Sequence, residues 1–138
     1  MKFSEVVFLE LEELEEIHQE AITRYGGSLG MRDRGLFESA AACPQTTLFG
    51  QPAYPSIIRM AAALARALAK NHAFVDGNKR VAFTATRLFL GINGFPISLP
   101  FKPWKDRFEA LASGMLSRED FAGLLAQQLG TDEPIEAG

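Results

Sequence analysis

Between residues 72 and 80 the chain reads His72-Ala73-Phe74-Val75-Asp76-Gly77-Asn78-Lys79-Arg80, which sets an imidazole, a carboxylate, an amide and two cations close together. Taken singly these residues are ordinary: Asp76, Gly77 and Asn78 form turns, Asn78 caps helices and Phe74 suits a core. Taken together they fit that description poorly. Helical periodicity resumes at about residue 78, so Lys79 and Arg80 fall in a first turn, where the positive end of the helix dipole disfavours each cation by about 0.3–1 kcal/mol. Backbone N–H groups, an ammonium and a guanidinium converging on one point suit a polyphosphate, which satisfies the donors and reverses the charge balance. Gly77 has no Cβ and lets a ligand approach the backbone. Asp76 offers a hard oxygen to Mg²⁺, which commonly binds through one or two carboxylates plus substrate phosphates. His72 can take a proton from a hydroxyl near neutral pH. A base, a metal ligand and an anion cradle in one short segment describe a phosphoryl-type active site.

Two long helical patterns flank this segment. Upstream, Ser56 can cap IIRMAAALARALAKN, in which Ile57, Ala61, Leu64, Ala65 and Leu68 form one face and further alanines keep the others small. Such a helix can be packed closely on several sides, so we place it at the centre of a bundle. Downstream, residues 78 to about 93 carry a stripe of Val81, Ala85, Leu88 and Ile92, and Asn93-Gly94 stops the helix. Residues 9–25 predict an amphipathic helix with Leu14, Ile17 and Ala21 inward, an acidic outer face and His18 at the surface, closed by Gly26 and Gly27. Asp33 can cap a short helix that Pro44 ends, with Arg32 and Asp33 as a turn and cap, or with Arg32 or Arg34 reaching the nucleotide. QTTLFGQPAYP predicts a loop or irregular hairpin. Pro103 opens a helix to about Ser113, with Trp104 either in the core or in a partner groove. Ser117 with Asp120 opens a last helix that ends at Gly130. We expect an all-α bundle, one domain over residues 1–130, and a polar, disordered tail over residues 131–138.

Bulk properties narrow the function. Hydrophobic residues make up 47% of the 138 and charged residues 22%, which is ordinary for a globular domain. A formal net charge of -3 gives no bulk attraction to nucleic acid or anionic membrane, so any basic site must be local. The single Cys43 leaves no intrachain disulfide and reads as a core or near-core residue. No signal-peptide pattern and no membrane-length apolar run are present, so we expect a cytoplasmic protein.

HAFVDGNKR resembles the Fic-fold signature HxFx(D/E)GNxR, and more narrowly its death-on-curing (Doc) branch, in which Asn-Lys-Arg is followed by no second Arg. Lys79 stands where the broader pattern has Gly, and Phe83 where it has the second Arg. MRDRGLFESAAACPQ upstream and RLFLGINGF downstream resemble the same branch. The resemblance implies a toxin of a toxin–antitoxin module that phosphorylates a threonine of elongation factor Tu, with ATP as co-substrate, Mg²⁺ as cofactor and a separate antitoxin as partner. It implies His72 as base, Asp76 as the Mg²⁺ ligand, Asn78 orienting phosphate or metal, Gly77 with Lys79 and Arg80 at the phosphates, and Phe74 anchoring the loop. It also implies a flap that aligns the target by backbone pairing, which falls on Thr46, Thr47, Leu48 and Phe49. A self-inhibitory Fic helix carries Ser or Thr, three residues, then Glu followed by Gly or Asn; no such run occurs here.

Two other readings stay open. A general Fic enzyme would transfer AMP; the second Arg that presents the α-phosphate in such enzymes is Phe83 here, which favours phosphate. A non-catalytic Fic-fold binding domain would have no need to keep His72, Asp76, Asn78 and Arg80.

Overall fold

The alanine-rich segment after Ser56 becomes the helix on which the others pack. The computed structural model describes residues 1–136. In chain order it contains α1 (Leu11–Tyr25), α2 (Arg34–Ala42), a two-stranded antiparallel hairpin of β1 (Thr47–Leu48) and β2 (Gln51–Pro52), α3 (Ile57–Lys70), α4 (Asn78–Ile92), α5 (Phe101–Ser113) and α6 (Arg118–Leu129). Ten of the fourteen residues of α3 are buried, and α2, α4, α5 and α6 all pack against it. Small alanines at 61, 62, 63, 65 and 69 let those neighbours approach from several directions. No helix among the described residues is long and apolar enough to cross a membrane.

Several helix starts are capped as their residue types require. Asp33 Oδ1 accepts from Leu36 N–H at 2.9 Å, Ser56 Oγ from Arg59 N–H at 3.0 Å, and Ser117 Oγ from Asp120 N–H at 3.0 Å. The C-terminus of α4 is tied down by buried Asn93. Its amide donates to the carbonyls of Val7 at 2.9 Å and Phe89 at 2.9 Å, and its oxygen accepts from Val7 N–H at 2.8 Å. The segment before α1 is thereby drawn onto the bundle, burying Val6 and Leu9.

Two expectations change, and the open choice for Trp104 is resolved. The inward face of α4 consists of Val81, Ala82, Ala85, Thr86, Phe89 and Leu90, while Leu88 and Ile92 are 38% and 40% exposed. Packing on α3 from one side and α1 from another draws on a wider arc than the narrow stripe suggested, and that arc is centred away from Leu88. Trp104 is core, edge-on to Phe121 at 5.9 Å. The tail departs most. Residues 131–136 run between the N-terminus and the entry to α3: Ile135 N–H donates to Pro55 O at 2.7 Å, Glu136 N–H to Met1 O at 3.0 Å, and Phe3 N–H to Glu136 O at 2.7 Å. Ile135 is 7% exposed. One apolar side chain plus three backbone partners outweighs the polar composition around it. Ala137 and Gly138 of the expected tail lie outside the described residues.

Ile135→Ala should therefore lower the unfolding free energy by roughly 2 kcal/mol, the low end for a buried isoleucine near the edge of a core. Urea titration measures this; an unchanged midpoint would mean that the tail does not dock.

Candidate active site

The segment from His72 to Gly77 joins α3 to α4, and neighbouring backbone holds it from the side. The Ala73 carbonyl accepts from Arg32 N–H at 2.7 Å and Asp33 N–H at 3.1 Å, and Val75 N–H donates to Gly30 O at 3.1 Å. The connection between α1 and α2 thus lies against the loop as a short bridged strand, Met31 opposite Phe74. Within the loop, the Asn78 side chain spans back to Phe74: its oxygen accepts from Phe74 N–H at 3.0 Å and its amide donates to Phe74 O at 2.9 Å. Phe74 is 3% exposed and stacked on the His18 ring, centroids 3.8 Å apart and planes 9° off parallel, with Phe37 on another side at 5.2 Å.

His18, expected at the surface, is 5% exposed. Its Nε2 lies 2.8 Å from the Asp76 carbonyl oxygen. A carbonyl only accepts, so Nε2 carries the hydrogen and donates. The spacing of Leu14, His18, Ala21 and Ile22 on one helical face was the available signal: the imidazole sits within the buried stripe. Gly77 starts α4 with φ 84°, and a Cβ there would come within 3.3 Å of Ile22 Cδ1 and 3.6 Å of His18 Cδ2. Glycine is needed for the left-handed backbone and for the close packing.

On this frame the chemistry-bearing groups face outward. His72 is exposed, with φ 52°, a left-handed conformation that costs a non-glycine residue on the order of 1–3 kcal/mol and concentrates at functional sites. Asp76 is exposed, and its Oδ2 accepts from Ser28 N–H at 2.8 Å, which fixes the carboxylate. No side chain caps α4. Lys79 and Arg80 stand in its first turn, neither in an ion pair among the described residues. The Arg80 guanidinium lies over the Tyr25 ring at 4.0 Å and near Phe101 at 5.6 Å. Lys79, Arg80, Phe83, Phe101, Lys105, Phe108 and Glu109 line a cleft of about 210 Å³ beside this helix start. Across it, a 2.6 Å bond from the Lys105 ammonium holds the Glu109 carboxyl below the usual carboxylate range, and Lys79 adds to the effect.

The structure therefore brings His72, Asp76, Gly77, Asn78, Lys79 and Arg80 into one loop and helix start. The Asn78 side chain is committed to shaping the loop. Asp33 caps α2 as expected, Arg34 pairs with Glu15 at 2.6 Å and Glu38 at 3.2 Å, and Arg32 bonds the loop through its backbone. Residues 45–55 do form a hairpin. It turns through Phe49 (φ 52°) and Gly50 (φ 78°), with Leu48 61% and Phe49 fully exposed, and Thr46 and Thr47 are also at the surface. The hairpin enters α3 at the end opposite the His72 loop, about 20 Å away along the helix axis.

The pattern of the Fic/DOC family matches residues 8–90. The chain is 42% identical over 115 residues to Toxin Doc of Mycolicibacterium smegmatis, an alignment that covers 83% of this chain and 87% of that relative. It is 33% identical over 125 residues to Protein kinase doc of Escherichia phage P1, covering 88% of this chain and 95% of the relative.

Because the Asn78 amide satisfies both backbone groups of Phe74, Asn78→Ala should destabilise the ligand-free protein by about 2 kcal/mol. A side chain whose sole task is to touch phosphate would leave the denaturation midpoint unmoved, so urea titration without nucleotide distinguishes the two roles.

Proposed function

The chain belongs to the Fic/DOC family, and from that premise we propose that it is a toxin that transfers the terminal phosphate of ATP to a threonine hydroxyl of elongation factor Tu and so blocks translation in the cytoplasm. The observation that carries the proposal is the start of α4, an uncapped helix N-terminus with Lys79 and Arg80 in its first turn. That arrangement is unfavourable in the free protein and favourable once a polyanion is bound.

In this reading the backbone N–H groups of Asn78, Lys79 and Arg80 and the two cationic side chains take the nucleotide phosphates. The flat apolar walls of the adjoining cleft, Phe83 and Phe101, suit the nucleoside. His72 accepts the hydroxyl proton as the acceptor oxygen bonds to the terminal phosphorus and the bond to ADP breaks. The charge that spreads over the transferring group meets donors already in place, which is the main source of rate in such transfers.

Asp76 fits Mg²⁺ on its geometry. The described residues contain no cluster of three or more acidic, histidine or cysteine ligands, so the protein supplies one oriented carboxylate and the nucleotide must supply further oxygens. When bound, the ion would neutralise phosphate charge. Phe83 in place of a second arginine favours phosphate over AMP as the group moved. Restraint falls to a separate antitoxin protein, since the chain lacks a self-inhibitory helix pattern.

Incubation with elongation factor Tu, Mg²⁺ and ATP should add one phosphate to the factor by intact mass. His72→Ala should slow that transfer by about 10²–10⁴-fold while the protein stays folded. A gain of AMP, or full activity in the variant, would overturn the reading.

Arg80→Gln offers a test free of the acceptor. The dipole cost of the cation, about 0.3–1 kcal/mol, is of the same size as the gain from its stack on Tyr25, about 0.5–1 kcal/mol at an exposed site. The two cancel, so the melting temperature without nucleotide should barely move, whereas the rise produced by Mg-ATP should shrink through lost charge-assisted bonds. An undiminished rise would remove Arg80 from the phosphate site.

A further inference from the structure

Arg59, Arg66, Ala67 and Lys70 are the four residues of α3 that are not buried. The three long side chains are all cationic and fall at helical positions i, i+7 and i+11, a single strip about 16 Å long. The helix contains no Asp or Glu. Arg66 and Lys70 are a like-charge i,i+4 pair, unfavourable by about 0.2–0.5 kcal/mol, and neither lies within 4.0 Å of a carboxylate among the described residues. Arg59 has Asp132 at 3.7 Å, a loose pair. Lys70 gains from the negative end of its helix; Arg66 does not. Arg118, over Tyr54 at 4.9 Å near the hairpin end, is paired with Glu119 and adds no free cation to the strip. The exposed face of α1, by contrast, carries Glu12, Glu13, Glu16 and Glu20.

The strip also has a place. The hairpin enters α3 at Ser56, and His72 follows Lys70 by two residues, so the strip runs between the hairpin and the candidate base. A polypeptide lying along α3 would meet the strip over its whole length, and 16 Å is about five residues of extended chain.

We propose that Arg59, Arg66 and Lys70 form a docking rail for a short acidic segment of the acceptor protein, beside the residue that is modified. This rests on the protein-acceptor reading above. The choice of a protein segment over nucleic acid follows from scale: three cations on a chain of net charge -3 neutralise few phosphates, whereas a few carboxylates in register match them. Exposed charges of this kind steer encounter and set specificity, with small effects on stability.

The test is the double variant Arg66→Ala, Lys70→Ala, neither residue being part of the nucleotide or proton-transfer machinery. With elongation factor Tu as acceptor, kcat/KM should fall by about five- to ten-fold at low salt through KM, and the gap should close at high salt. The melting temperature and the Mg-ATP shift should stay at wild-type values. Unchanged kcat/KM would overturn the rail. A second arm uses decaglutamate as a probe: it should bind the wild type at low salt and the variant much more weakly. Equal binding, no binding, or tighter binding of a ribo-oligonucleotide of the same length would overturn the proposal. If the wild type leaves elongation factor Tu unmodified, the functional reading fails and decaglutamate alone decides the rail.

Discussion

The geometry of the whole site hangs on a buried histidine that performs no chemistry. His18 donates one hydrogen bond to the Asp76 carbonyl and lays its ring flat on Phe74. These two contacts fix both ends of the loop that has to present His72 and Asp76 outward. The Asn78–Phe74 pair closes the same loop from within, and the strand-like residues Gly30 to Asp33 close it from the side. A turn with a left-handed histidine and a left-handed glycine has little intrinsic preference for one shape. It is held because the Ala73 and Asp76 carbonyls, both backbone groups of Phe74 and the Val75 N–H have partners whose loss would leave a desolvated group.

Much of this architecture was legible from the residues, and the misses have physical causes. Ser56, Asp33 and Ser117 were recognised as caps because a hydroxyl or carboxylate before an apolar periodic run has one good use. The position of α3 at the centre followed from its alanines, which leave only one narrow polar strip for solvent. The α4 stripe was misplaced because Leu88 and Ile92 are as apolar as Phe89 and Leu90, and only the directions of neighbouring helices decide between them. His18 was misjudged by residue type although its spacing marked it as buried. The tail is the clearest case of composition misleading: Thr131, Asp132 and Glu133 suggest disorder, yet a single isoleucine and the backbone groups of Pro55, Met1 and Phe3 hold the chain beside them. Asn78 shows a subtler limit. Its type allows a ligand contact and a loop clamp equally, and the choice depends on where Phe74 lies.

Electrostatics at the site follow from what is left unsatisfied. Two arginines near the N-terminal helices find partners: Arg34 bridges Glu15 and Glu38, and Arg24 pairs with Glu20. At the start of α4 the cations have none, and Arg80 rests on Tyr25 and Phe101. An aromatic support orients a guanidinium without neutralising it, whereas a carboxylate in the same place would compete with an incoming phosphate. Glu109, the nearby carboxylate in the cleft, is already occupied by Lys105. Charge is therefore kept available where a polyanion would need it, at a cost in stability small enough for the stacking to offset.

Two non-glycine residues among those described adopt left-handed backbone, Phe49 and His72, and they flank the two ends of α3. Each carries a side chain that the fold leaves in solvent. At the hairpin turn Asn-Gly would satisfy the backbone better than Phe-Gly, so Phe49 runs against local preference. Strain of this kind survives only where the surroundings over-determine the backbone. At the hairpin the surroundings are the Thr46–Ala53 bond of 2.8 Å, Thr46 Oγ1 donating to Cys43 O at 2.7 Å, and Ile135 bonded to Pro55 at the exit. At His72 they are the clamps described above. Between them stands the most buried helix of the molecule, which cannot yield at one end without disturbing its packing against four others. The rigidity of α3 is thus what permits both departures. A looser central helix would let the backbone relax at Phe49 and His72, and would lose the outward presentation of both side chains.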